Sequence, residues 1–143
     1  MRLIPVLLML VLSGCAKQYG NFIEKDKNEA WLNRALASEF AQLLNKQNPP
    51  AWTKVTFKHE TTDLFGQSLV NDLRRDGYAV AEFHPDSEQA DGVKVYYKVD
   101  HFDTNEFLVS VFVGKKRLSR VYAVNDSTLI PTSVWTSLEV VSK

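Results

Sequence analysis

The chain contains a single cysteine, Cys15, and lacks a long hydrophobic run. One thiol excludes an intramolecular disulfide, so the fold must be held by its apolar core. The longest apolar stretch, Leu3 to Leu12, is half of the roughly 20 residues that a membrane-spanning helix needs. Basic and acidic residues balance at 17 each. The chain therefore has no basic excess of the kind typical of a nucleic-acid-binding protein.

Cys15 completes the sequence Leu12-Ser13-Gly14-Cys15, directly after the apolar run. A positive residue near the start, a short apolar region and small residues before the cleavage point are typical of a signal peptide. This pattern predicts a bacterial lipoprotein. We expect residues 1–14 to be removed, with Leu12, Ser13 and Gly14 read by the signal peptidase. Cys15 would then carry diacylglycerol and an N-acyl lipid such as palmitate. An ordinary secretory signal with a leftover cysteine is the alternative.

The expected lipid anchor places the protein at a membrane surface. Stable anchoring takes two hydrophobic signals, and a lipoprotein carries two or three acyl chains. Ala16 follows the cysteine, where many inner-membrane lipoproteins have Asp, so we expect the periplasmic face of the outer membrane. Apart from the covalent lipid, the sequence predicts no cofactor and no metal.

Residues 15–27 are mostly polar and show no sustained period. We interpret them as the lipidated N-terminus and a tether. Their aromatic and aliphatic members, Tyr19, Phe22 and Ile23, favour a second hypothesis, in which this segment docks on a partner and becomes ordered there.

Residues 28–143 are predicted to form one periplasmic α+β domain. Apolar residues at intervals of three and four predict helices over Asn28–Gln47 and Asp63–Asp76, the second capped by Thr61 or Thr62. Pro49 and Pro50 end the first helix, and Gly77 ends the second. We expect both helices to pack on one face of a mainly antiparallel sheet of about four to five strands. Sequence patterns predict these strands over 52–57, 78–83, 93–99, 107–113 and 118–124, with hairpins around Asp103–Asn105 and Gly114–Lys116.

The strand from Glu106 to Val113 is apolar on both sides, because Leu108 and Phe112 alternate with its other apolar residues. Either this is a central strand covered on both faces, or Leu108 and Phe112 belong to an exposed patch that a partner covers. The apolar tail from Ser127, which contains Trp135, either completes the sheet or docks on a neighbouring subunit.

Motifs of catalysis are missing from the sequence. It has no Gly-x-Ser-x-Gly elbow and no glycine-rich phosphate loop. We interpret His101 and Asp103 as turn residues. Asp100, Asp103 and Glu106 could gather a cation, although such a group is more often a solvated surface. The sequence therefore predicts a protein that is not an enzyme.

Four segments resemble the TrbH family of conjugal transfer lipoproteins. They are the lipobox, the helix-to-strand passage Phe65–Val80, the strand Leu118–Ala123 and the late segment Pro131–Trp135. The resemblance implies a structural or assembly component of a conjugative type IV secretion channel, which forms mating pairs for plasmid transfer. It also implies contact with other core-complex subunits and with outer-membrane lipid through the anchor. The balanced charge and the sequence pI of about 6.8 argue against direct contact with nucleic acid. The resemblance leaves undecided whether the assembled subunits form a ring. Our candidate contacts are Tyr19, Phe22, Ile23, Leu108, Phe112 and Trp135.

A regulatory lipoprotein is the alternative from another functional class. Such a protein would bind and activate or localise a peptidoglycan enzyme. A tether of about a dozen residues spans at most roughly 3.3 to 3.6 Å per residue, which is short for reaching the cell wall.

Overall fold

The computed structural model describes residues 22–23 and 30–140. Along the chain the elements are β1 (Phe22–Ile23), α1 (Ala30–Gln47), a 3-10 turn (Pro50–Trp52), β2 (Lys54–Phe57), α2 (Leu64–Arg75), β3 (Ala79–Ala81), β4 (Val93–Asp103), β5 (Glu106–Val113), β6 (Lys116–Asn125), β7 (Thr128–Pro131) and β8 (Thr136–Glu139). This is an α+β domain with two helices, as the sequence predicts.

The strands form one sheet of eight, in the order β3-β2-β4-β5-β6-β7, with β1 added on β4 and β8 on β6. The prediction of about four to five strands was therefore too low. The predicted antiparallel pairing is present, but the sheet also contains parallel pairs that were not predicted. The pairs β2 with β3, β2 with β4, and β1 with β4 are parallel. The helix α2 connects β2 to β3, and a helical crossover returns the chain in the same direction.

The first helix ends where the sequence predicts, because Pro49 and Pro50 cannot continue its hydrogen-bond ladder. These prolines instead start the 3-10 turn, so β2 begins at Lys54 and not at Trp52. The hydroxyl of Tyr78 donates to the carbonyl of Asn48 at 2.6 Å. This bond fixes the helix end against the segment that follows α2.

The second helix is capped by Asp63, not by Thr61 or Thr62 as predicted. The Asp63 carboxylate accepts a hydrogen bond from the backbone N–H of Gly66 at 2.7 Å, the usual geometry of an aspartate cap. At the other end Gly77 adopts a left-handed φ of 96°, which confirms its predicted role.

Both helices cover the same face of the sheet. Phe65 of α2 packs its ring 4.6 Å from that of Tyr97 on β4. Glu39 of α1 accepts a hydrogen bond from the hydroxyl of Tyr122 on β6 at 3.3 Å. The register of β4, β5 and β6 places Tyr97 and Tyr122 on one side. The buried core therefore lies between this side and the helices, as expected.

The C-terminal tail completes the sheet, which was one of its two predicted roles. Strands β7 and β8 both pair antiparallel with β6, at opposite ends of its outer edge. The two predicted hairpins are also present, between β4 and β5 and between β5 and β6.

Candidate partner-binding surface

The sheet face opposite the helices carries a row of large side chains across four strands. Tyr96 of β4 lies opposite Phe112 of β5, Phe112 lies opposite Arg117 of β6, and Arg117 lies opposite Leu138 of β8. Paired residues project from the same side of a sheet. We call this side the open face and these four residues the aromatic row. The rings of Tyr96 and Phe112 stack with centroids 4.1 Å apart and planes 5° apart.

The aromatic row is accessible to solvent. Tyr96 and Phe112 are partly exposed, Arg117 is exposed, and Leu138 keeps 55% of its surface exposed. At the β2 end, the loop before β4 covers Thr56, whose hydroxyl donates to the carbonyl of Asp91 at 2.7 Å. From β4 to β8, both described helices lie on the other side.

The candidate contacts Leu108 and Phe112 lie on this open face. Leu108 is opposite Asp100 and Val121 and is partly exposed. Between Leu108 and Phe112, the hydroxyl of Ser110 lies 3.1 Å from that of Ser119. The helices do not cover this side, so the geometry favours the hypothesis of an accessible patch.

Three lysines lie near Tyr96, at one end of the aromatic row. The ammonium group of Lys58 lies 5.3 Å from the ring centre of Tyr96, a cation–π distance. Lys94 and Lys98 flank Tyr96 along β4, and Lys98 forms a salt bridge with Asp100 at 3.2 Å. Of these three lysines, Lys98 is therefore the one whose charge is paired with a carboxylate among the described residues.

Two titratable groups at the β4 end of the aromatic row have shifted pKa values. Burial raises the pKa of the Tyr96 hydroxyl. Burial, and then the neighbouring Lys58 charge, lowers the pKa of His59. The His59 ring packs edge-on against Tyr96, with centroids 5.8 Å apart. The lowered pKa favours the neutral form of the His59 ring, so the positive charge beside Tyr96 comes from Lys58.

Trp135 lies on the helix side of the sheet, away from the aromatic row. Its ring packs edge-on against Tyr122 at 6.3 Å, and the Arg120 guanidinium lies 5.9 Å from its centre. Arg120 also donates to the carbonyl of Ser133 at 2.9 Å and to Glu39 at 3.5 Å. Trp135 thus packs against its own domain and is partly buried.

The N-terminal candidate contacts fall partly within the structure. Phe22 and Ile23 pair in parallel with Lys98 and Val99 of β4. The tether segment therefore contributes a strand to the sheet. Cys15, Tyr19 and the residues of the signal-peptide recognition sequence lie outside the described residues.

The structure assigns ordinary partners to the residues considered for chemistry. A ring nitrogen of His101 lies 3.1 Å from the carbonyl of Thr104, and the Asp103 carboxylate accepts from the N–H of Thr104 at 2.7 Å. These are turn contacts, as predicted. Within residues 30–140, no group of three His, Cys, Asp or Glu side chains is placed to hold a metal ion. The helices in this part of the chain are also too short or too polar to span a membrane.

The sequence analysis missed Tyr96, Arg117 and Leu138 as candidate contacts. A signal for Tyr96 was present, because an aromatic residue at an even position of β4 must point away from Val95 and Tyr97. Arg117 and Leu138 carry no such local signal. They join the row through the pairing of β6 with β8, which depends on the register of distant segments.

Comparison with known proteins identifies the family of the chain. A model of the conjugal transfer protein TrbH family matches residues 16–139. No curated protein and no solved structure matches the chain. The match begins directly after Cys15 and includes every helix and strand of the described fold. It confirms the resemblance seen in the sequence and gives the protein a role in conjugal transfer. The chain belongs to the TrbH family of conjugal transfer proteins.

Proposed function

We propose that this protein is a lipid-anchored assembly component of a conjugative type IV secretion channel, held at the periplasmic face of the outer membrane. The observation that carries the proposal is the family match over residues 16–139. In this role the protein performs no catalysis. It holds other channel subunits close to the membrane by binding them on an exposed surface.

The proposed anchor is Cys15, modified with diacylglycerol and an N-acyl chain after cleavage behind Gly14. Each buried methylene group contributes about 0.8 kcal/mol, so two or three chains make the attachment effectively permanent. Leu12 and Ser13 complete the recognition sequence for the lipoprotein signal peptidase. Ala16 at the next position supports sorting to the outer membrane.

The proposed tether between the lipid anchor and the domain is short. Phe22 is already part of the sheet, so only residues 16–21 separate it from Cys15. Seven residue steps at roughly 3.3 to 3.6 Å each span about 25 Å at most. A domain held this close to the bilayer suits a membrane-bound assembly. It does not suit the alternative of a regulator that reaches a peptidoglycan enzyme.

The open face supplies the proposed contact surface. Leu108 and Phe112 are accessible there, on the same side of the sheet as Tyr96 and the exposed Leu138. Aromatic residues and arginine are enriched at the centres of protein interfaces, and the aromatic row contains both. Several copies around a channel would place this face against the same partner in each repeat of a ring.

A lipidation and transfer assay tests the proposal. Donor cells lacking the gene are complemented with the wild type, with Cys15→Ser, or with Ser13→Ala as a matched control that keeps a small residue before the cleavage point. We expect palmitate labelling, outer-membrane fractionation and plasmid transfer with the wild type and Ser13→Ala, and loss of all three with Cys15→Ser.

Affinity purification of the tagged full-length protein from detergent-solubilised membranes then identifies the bound subunits. Recovery of secretion-channel subunits with the wild type supports the assembly role. Recovery of a cell-wall synthase in their place, with transfer unaffected by Cys15→Ser, would reject the assembly role in favour of the regulatory one.

A further inference from the structure

We propose that the aromatic row binds an acidic, extended segment of a partner polypeptide, which directs both apolar side chains and carboxylates at the row. This inference rests on the proposed role as an assembly component and specifies the chemistry of the partner. Its two supports are the shape of the row and the charges around it.

The dimensions of the row fit a short extended segment. The row crosses β4, β5, β6 and β8, and neighbouring strands lie about 4.8 Å apart, so the row is about 14 Å long. An extended chain rises about 3.3 Å per residue, and every second side chain points to the same side. Four or five partner residues would therefore cover the row, and two or three of their side chains would face it.

The charges around the row favour carboxylates in that segment. Lys58 lies beside Tyr96, and Arg117 is exposed within the row. In the described part of the chain, neither residue forms a salt bridge. Lys94 and Lys98 already have partners, the carbonyl of Ala90 and the carboxylate of Asp100. Lys58 and Arg117 are thus the two cations left to pair with a bound segment, one near each end of the stacked rings.

A second copy of the chain fits this surface less well. Two open faces brought together would enclose Lys58 and Arg117 of both copies in one interface, and an excess of like charge in an interface is unfavourable. The acidic loop between β3 and β4 contains Asp86, Glu88 and Asp91. The large aromatic side chain of that loop, Phe83, already packs beside His59 with ring centroids 6.4 Å apart, and Ser87 to Asp91 adds no large apolar side chain to cover the rings. A separate partner with both kinds of side chain satisfies the row better.

Peptide binding to the full-length protein in detergent tests this inference. The probe is a fluorescent peptide of about ten residues in which Phe or Leu takes turns with Asp or Glu at every second position. Ser fills the positions between, so that the apolar and acidic side chains lie on one side of the extended chain. The matched probe has Lys at every acidic position. We expect fluorescence anisotropy to detect binding of the acidic probe alone, and added salt to weaken it because exposed charges are screened.

Variants of the protein locate the binding site. We expect Lys58→Glu with Arg117→Glu to weaken binding of the acidic probe by about tenfold or more, and Phe112→Ser to weaken it as well. The matched control is Arg34→Glu with Lys46→Glu, two exposed positions on α1, which should leave binding unchanged. Circular dichroism of each variant verifies the fold.

Three outcomes would overturn the inference. One is equal binding of the acidic and the lysine probe, and another is an equal loss with the α1 variants. The third is failure of the acidic probe while vesicles containing phosphatidylglycerol bind through Lys58 and Arg117, which would assign the face to lipid. None of these outcomes affects lipidation at Cys15 or plasmid transfer, so a failure of this inference is distinguishable from a failure of the proposed function.

Discussion

The hydroxyl of Tyr97, in the centre of the sheet, donates a 2.5 Å hydrogen bond to the carboxylate of Asp63, the N-cap of α2. The other carboxylate oxygen accepts from the N–H of Gly66 at 2.7 Å. One side chain therefore ties the start of the helix to the middle strand. Tyr97 is fully buried, and a buried hydroxyl needs a hydrogen-bond partner of this kind.

Replacing Asp63 tests this link. We expect Asp63→Ala to lower the free energy of unfolding by about 3 kcal/mol, because the helix cap and the hydrogen bond from the buried Tyr97 hydroxyl are both lost. Asp63→Asn keeps an acceptor oxygen and should cost distinctly less. Urea unfolding followed by circular dichroism measures both. Equal losses for the two variants would show that the acceptor is unimportant.

Alkaline pH should destabilise the fold. Burial, and then the bond to Asp63, raises the pKa of Tyr97, and burial likewise raises that of Tyr122. Above about pH 10, the ordinary pKa of tyrosine, the unfolded chain loses these protons while the folded protein keeps them. The free energy of unfolding therefore falls as pH rises, by about 1.4 kcal/mol per pH unit for each tyrosine. Urea unfolding between pH 9 and about 11 should show a shallower fall for Tyr97→Phe. An unchanged slope would contradict this assignment.

Gly66 is a helical glycine at which alanine should be harmful. Alanine normally stabilises a helix interior by about 1 kcal/mol over glycine. Here a Cβ would lie 2.1 Å from the Tyr97 hydroxyl and 2.9 Å from the Cα of Thr61. We expect Gly66→Ala to cost about 1 to 3 kcal/mol. Asn71→Ala, at an exposed position of α2, is the matched control and should be neutral or slightly stabilising in a thermal melt. A stabilised Gly66→Ala would refute the close approach.

Phe65 of helix α2 and Phe112 of strand β5 lie on opposite sides of the sheet and should differ in their contribution to stability. Phe65 is fully buried, so Phe65→Ala should cost about 3 to 5 kcal/mol. Phe112 is partly exposed on the open face, so Phe112→Ala should cost less than about 1.5 kcal/mol. Urea unfolding compares them directly. A loss at Phe112 as large as that at Phe65 would mean that the open face is covered within the monomer.

Two tryptophans provide a similar comparison. Trp135 packs against Tyr122 and the Arg120 guanidinium, whereas Trp52 is 85% exposed. We expect Trp135→Ala to cost about 1 to 3 kcal/mol and Trp52→Ala to be near neutral. Hydrogen exchange should also show faster exchange in β7 and β8 for Trp135→Ala alone. Unchanged exchange would indicate that Trp135 does not hold the tail in place.

The local parts of the fold were predictable because their signals are local. Helical spacing defined both helices, and the double proline and Gly77 marked their ends. The cap of α2 was placed one or two residues early, because Thr61, Thr62 and Asp63 are all good capping residues and only the backbone geometry selects among them. The parallel pairing of β2 with β3 and the two-residue β1 had no such signal, since they depend on contacts between distant segments.

The candidate surface was predictable only in part. Leu108 and Phe112 stood out because their strand is apolar on both sides. Sequence spacing could not decide whether that second side was covered, because the answer depends on where the helices pack. It also could not reveal that Trp135 lies on the helix side, since the tail's register with β6 sets its direction.

The sequence by itself determined the two helices, the hairpins and a fold without disulfides, because these follow from residue spacing, turn residues and the single cysteine. The tertiary structure alone decided which sheet face stays open and which side chains meet on it. Tyr96, Phe112, Arg117 and Leu138 come from four strands. They form one surface because strand register, a property of the whole sheet, aligns them.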